Sequence, residues 1–146
     1  MNYYKSAEQV LSSVSILERT LMNLEKRKQR LIDGGLPADV GTISYDKPFT
    51  NSKFISDTLN ELLSVSECQK CIAATKSEID EIYSVIDQMP DEYQKIVRMW
   101  YIQKIPKEKI MDEMYIESLA TVYNLRNRAV AEFALLYYGS PALNSI

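Results

Sequence analysis

Pro90-Asp91-Glu92-Tyr93-Gln94-Lys95-Ile96-Val97-Arg98-Met99-Trp100-Tyr101-Ile102 opens the stretch whose reading decides the fold. Pro90 sits where a helix can begin, because proline at an early helical position loses no hydrogen bond. Asp91 and Glu92 in the first turn favour the helix dipole. Ile96, Val97, Trp100 and Tyr101 follow at helical spacing and make one apolar face. Pro106 then starts a short second helix, from which Ile110, Met111 and Met114 point inward. Tyr115-Ile116-Glu117 is a turn. Ser118 is a good N-cap, because its hydroxyl can accept a backbone N–H two or three residues on. The third helix carries Val122, Leu125, Ala129 and Phe133 at spacings of three and four, a buried stripe.

A short helix, a tight turn and a longer helix with a mixed polar face make a helix-turn-helix. Its second helix can lie in the major groove with its N-terminal residues at base edges. Here those residues are Leu119, Ala120, Tyr123 and Asn124, with Asn127 further along and Arg126 and Arg128 at the flanks. Asparagine can pair bidentately with adenine, and arginine reaches guanine or phosphate. The expected DNA contacts are therefore Thr121, Tyr123, Asn124, Arg126 and Arg128; simple surface exposure is the plain alternative for the same polar residues.

Ser118-Leu119-Ala120-Thr121-Val122-Tyr123-Asn124-Leu125-Arg126-Asn127-Arg128-Ala129 resembles the S-x-x-T-V-x-x-L-x-x-R-A pattern of the last helix of sigma-factor C-terminal domains. Tyr101-Ile102-Gln103-Lys104-Ile105-Pro106-Lys107-Glu108-Lys109-Ile110 is similar to their Y-I-x-G-x-s-x-x-E-I segment. The nearest group in layout is the sigma-like phage late-gene transcriptional activators of the ArpU/RinA kind, in which a helical N-terminal part precedes a compact helix-turn-helix. The likeness covers about a third of the chain. It implies transcription regulation, duplex DNA as partner and RNA polymerase as a second one. Two departures stand out: Tyr115 lies near the turn glycine of the family, and Glu117 separates Ile116 from Ser118, which lengthens the turn by one residue.

Outward from this unit, residues 1–89 read as a long antiparallel helical hairpin, a dimerisation arm. Ser6-Ala7-Glu8-Gln9 has the form of a capping box. Val10, Val14, Leu17, Leu21, Leu24, Lys28 and Leu31 recur at alternating spacings of four and three, a heptad seam widened by Leu11 and Met22. The helix is expected to end near Ile32, where Gly34-Gly35 stops it. Residues 33–51 form a linker, read as a crossover or alternatively a binding loop, with Val40, Ile43, Tyr45 and Phe49 as pins. A second helix from Asn51 or Ser52 toward Gln88 carries Ile55, Leu59, Leu62, Val65, Ile72, Ile79, Ile82 and Ile86. It is longer than its partner, so apolar surface is left over, and a homodimer is expected. The domains are thus 1–89, 90–139 for the helix-turn-helix, and a frayed tail over 140–146.

Composition agrees with an all-α chain: 146 residues are 46% hydrophobic with four Gly and five Pro. No apolar run approaches the ~20 residues that span a bilayer, and Met1-Asn2-Tyr3-Tyr4-Lys5 lacks the apolar core of a signal peptide. The expectation is a cytoplasmic protein with no membrane partner, in a host cell if phage-encoded. Net charge is −3, and from Pro90 onward seven basic residues face seven acidic ones. DNA affinity rests largely on phosphate neutralisation, so a neutral reading unit calls for a dimer or a protein partner.

Cys68-Gln69-Lys70-Cys71 has C-x-x-C spacing, but zinc needs four ligands and the chain has no other cysteine and no histidine. Ordinary semi-buried helix residues are the favoured reading, ahead of an intersubunit four-thiolate site or redox chemistry. The lack of histidine removes the commonest general base, and Glu78, Asp80, Glu81, Asp112 and Glu113 read as solvated helix faces. No enzyme activity, cofactor or metal is expected. Lys26-Arg27-Lys28-Gln29-Arg30 suits a helix C-terminus, or alternatively phosphate. Trp100, Tyr101, Phe133, Tyr137 and Tyr138 read as small-domain core rather than a base-stacking platform. Two alternatives stand beside the DNA-binding regulator: a helical interaction module that does not read DNA, such as an adaptor or an inhibitor of a host protein, and a phage DNA-packaging small subunit.

Overall fold

The computed structural model describes residues 1–35 and 48–145. Five α-helices and no strand occur among them. They are α1 (Tyr3–Gly35), α2 (Pro48–Asp87), α3 (Asp91–Val97), α4 (Lys107–Glu113) and α5 (Leu119–Tyr138). A π-helical turn, Arg98–Ile102, extends α3, and a 3-10 helix, Ser140–Ser145, follows α5. None of the helices is long and apolar enough to cross a membrane, among the described residues. Cys68 Sγ lies 3.2 Å from the Leu24 carbonyl, and Tyr83 bonds Glu18.

The chain divides into two compact units. One is Met1–Glu18 with Glu78–Ile146; the other is Arg19–Ser77. This differs from a boundary at residue 89. The reason lies in the core: Ala7, Leu11 and Val14 of α1 and Ile82, Val85 and Ile86 of α2 are buried in the same cluster as Val122, Ala129 and Phe133 of α5. The first turns of the arm therefore complete the helix-turn-helix unit. A piece cut at 90–139 would lose the part of this cluster that α1 and α2 supply.

Within the first unit, several local expectations shift. Asn2 caps α1, its side-chain oxygen accepting the Lys5 N–H at 3.1 Å, so Ser6 lies inside the helix and its capping box does not form. The 140–146 tail is not frayed over its described part: Ala142 is fully buried and donates its N–H to the Gly139 carbonyl at 3.0 Å. Gly139 makes that reversal with φ +83°, a backbone region that favours glycine. Glu78, expected on a solvated face, accepts the Tyr137 hydroxyl at 2.7 Å.

The second unit holds α1 from Arg19 to its end and the first part of α2. Cys68 and Ile72 are buried there, whereas Leu59, Leu62, Leu63 and Met22 are exposed. Met22 thus does not widen the seam. Gly34 and Gly35 fall within α1 and Pro48 to Asn51 within α2, so the linker is shorter than 33–51. Val40, Ile43 and Tyr45 lie outside the described residues, as do the side chains of Phe49 and Ile55.

Candidate nucleic-acid interface

α4, the turn after it and α5 form the helix-turn-helix. Pro106 caps α4 with φ −56° and ψ 145°, and Ile110 is its buried anchor. At its far end the Ile116 N–H reaches the Met111 carbonyl at 2.9 Å and the Tyr115 N–H the Asp112 carbonyl at 3.3 Å. These are the 6→1 and 5→2 bonds of a Schellman stop, which needs a left-handed residue at its corner. That residue is Tyr115, with φ 56° and its side chain almost wholly exposed. Lys104, just past the π turn, is the other non-glycine residue with positive φ (54°) among the described residues. It falls on the glycine of the Y-I-x-G pattern quoted above.

Ser118 caps α5 as its sequence implies: extended at φ −136° and ψ 141°, it accepts the Thr121 N–H at 3.2 Å. Val122, Leu125, Ala129, Val130, Phe133 and Ala134 are buried behind the helix. On its outer side Thr121, Asn124 and Arg128 are exposed, together with Leu119 and Ala120. Of the five expected DNA contacts, these three are open to solvent.

The other two are engaged with protein. The Tyr123 ring packs edge-on against Trp100, centroids 5.6 Å apart. The Arg126 guanidinium lies 4.7 Å from the Trp100 ring centre and 5.5 Å from that of Tyr123. It also donates to Asn127 Oδ1 and stands 3.8 Å from Glu8. Arg126 is four-fifths covered on its side chain, which a surface reading of α5 misses. It reads as a strut between α5, the π turn and α1.

Four residues outside the expected DNA contacts hold this arrangement. Tyr4 of α1 donates to Asn127 at 2.8 Å. Glu8, one turn further, faces Arg126 and accepts from Tyr101 at 2.8 Å. Trp100 is placed by the π turn, whose Gln103 N–H bonds the Arg98 carbonyl five residues back. Lys107 donates to the Tyr123 hydroxyl at 2.5 Å. The legible signal was the pairing of an aromatic-rich helix end with cations on the next two helices; the α1 residues carried no signal, since they are about 100 residues away in sequence.

The comparisons with known proteins bear on this segment. Residues 53–134 match the family model described as "Protein of unknown function (DUF1492)". The chain belongs to this DUF1492 family. The DUF1492 match takes in α2 from Lys53, α3, α4, and α5 as far as Ala134. Neither the curated proteins nor the solved structures give a match.

Proposed function

We propose that the chain is a phage-type transcriptional regulator that binds duplex DNA through α4 and α5. One observation carries this reading: Thr121, Asn124 and Arg128 are exposed on a helix that is capped at Ser118 and anchored from behind by a continuous apolar stripe. Such a helix can enter a major groove without rearrangement. The likeness to sigma-factor C-terminal domains supplies transcription. It is supported by Lys104 and Tyr115, which adopt left-handed backbone at or near the pattern's glycine positions.

Between Tyr101 and Arg128 five basic residues stand against four acidic ones, and Glu8 offsets part of the Arg126 charge. The electrostatic pull on DNA is weak, so the regulator acts as a homodimer or beside RNA polymerase. Exposed Leu59, Leu62 and Leu63 on α2 supply apolar surface for a second copy. The same weak field favours the second reading, a helical interaction module whose helix-turn-helix does not read DNA.

Titration against duplex DNA at several salt concentrations separates the two. A DNA reader loses affinity steeply as salt rises, and Arg128→Ala flattens the log–log slope by about 0.9 per lost phosphate contact. Affinity that is absent, or indifferent to salt and to Arg128→Ala, favours the interaction module.

A further inference from the structure

We propose that Lys107 and Tyr123 form a phosphate-binding pair that grips one phosphodiester of a nucleic-acid backbone at the junction of α4 and α5. The proposal rests on the DNA-binding reading above and deepens it by adding Lys107 as a contact and moving Tyr123 from a base edge to the phosphate backbone.

The hydrogen-bond directions carry the argument. Lys107 Nζ donates to the Tyr123 hydroxyl oxygen. An ammonium has three protons, so two remain for another acceptor. The tyrosine oxygen is occupied as an acceptor, which leaves its own proton to be donated outward. Two donors of this kind, 2.5 Å apart, suit one tetrahedral oxyanion better than a neutral group.

Charge points the same way. Among the described residues the ion pairs are Arg98–Asp87 and Arg126–Glu8. Among the described residues Lys107 has no carboxylate within pairing distance, although it is exposed and has acidic neighbours in sequence. Instead its Nζ stands 4.9 Å from the Tyr123 ring centre and 5.5 Å from that of Trp100. Ring faces hold a cation without neutralising it. Arg126 lies against the same two rings. Two cations kept beside one aromatic pair leave net positive charge for an incoming anion.

Position selects the anion class. Lys107 is the first residue of α4, and Tyr123 is one turn into α5. The pair therefore sits where the first helix of a helix-turn-helix crosses the sugar-phosphate backbone while the second faces the groove. Lys107 is exposed, Tyr123 is half-buried, and the hydrogen bond between them lies at the surface; the pair offers few donors. That matches a singly charged diester delivered by a docked duplex, not a free phosphate dianion that must be dehydrated.

The test uses the full chain, a fluorescently labelled duplex and a salt series. Lys107→Gln should weaken binding about threefold to tenfold and flatten the salt slope by about 0.9. Lys107→Arg should keep the slope. Tyr123→Phe retains the ring beside Trp100 and loses only the hydroxyl; it should weaken binding with the slope unchanged. The ranking of different duplex sequences should be the same for all variants, because phosphate contacts carry no direct sequence information. Unfolding midpoints of each variant serve as the folding control. If Arg128→Ala weakens binding while Lys107→Gln and Tyr123→Phe leave affinity and slope at wild-type values, the phosphate pair is wrong and the DNA-binding reading stands. If the unmodified chain binds no duplex, both fail.

Discussion

Tyr101 and Glu8, 93 residues apart in sequence, are joined by a 2.8 Å hydrogen bond from the phenol to the carboxylate. Tyr101 is 5% exposed, so its hydroxyl has little water to turn to if the partner is removed. Glu8→Ala should cost about 1–3 kcal/mol, the penalty of a buried donor left unsatisfied, whereas Tyr101→Phe removes the donor itself and should cost about 0.5–1.5 kcal/mol. Urea unfolding of both variants checks the order. Equal losses would mean that the bond is not what holds the first turns of α1 in place.

Three phenols bonded to glutamates predict alkaline sensitivity. Burial first, and the bond to Glu18 next, push the Tyr83 hydroxyl up from 10.0 to about 12. Burial and the bonds to Glu8 and Glu78 likewise hold Tyr101 and Tyr137 far above the ordinary tyrosine range. A raised folded-state value means that the native chain keeps protons that the unfolded chain releases. Stability is then complete below pH 10 and falls as pH rises through the Tyr83 window from 10.0 to about 12. Urea midpoints measured through that window should decline, and Tyr83→Phe should make the decline shallower.

Tyr115 pays for its left-handed corner with side-chain strain, of order 1–2 kcal/mol for a residue with a Cβ. Its side chain is almost fully exposed, so little contact is lost on removal. Tyr115→Gly should raise stability by about 0.5–1 kcal/mol after the entropy of a freer unfolded chain is subtracted. Lys104→Gly should act in the same direction for the same reason. Tyr115→Val, with branching at the strained carbon, should destabilise. Thermal midpoints of the three variants decide it.

The closing 3-10 helix is predicted to be part of the core. Ala142 is fully buried, so Ala142→Asp places an unpaired carboxylate in an apolar site and should cost more than about 2 kcal/mol. Leu143→Asp, one residue on and 60% exposed, should cost almost nothing. Equal unfolding curves for the two variants would show that this segment does not pack.

Local signals were readable where they depend on near neighbours. The two prolines before α3 and α4, the Ser118 cap and the Val122, Leu125, Ala129, Phe133 stripe all sit where spacing and turn chemistry put them. The exposure of Thr121, Asn124 and Arg128 follows from that stripe. What spacing does not encode is which distant helix covers a given face. Arg126 and Tyr123 look like surface residues on a helical wheel, yet Trp100, delivered by a π turn, and Glu8 of α1 cover them. The π turn itself has no proline or glycine to announce it. Ala142 was missed because a short tail with one small apolar residue gives no period to read.

The unit that bears the helix-turn-helix draws its interior from both ends of the chain, Met1–Glu18 and Glu78–Ile146. During synthesis Tyr4 and Glu8 must therefore wait for Asn127 and Tyr101 to leave the ribosome before their hydrogen bonds can form. A helical protein of this kind should assemble more slowly than its secondary structure suggests, since contacts between remote segments set the rate. Cutting out the reading helices as a separate fragment removes the very residues that close them, so the shortest autonomous form must include the first eighteen.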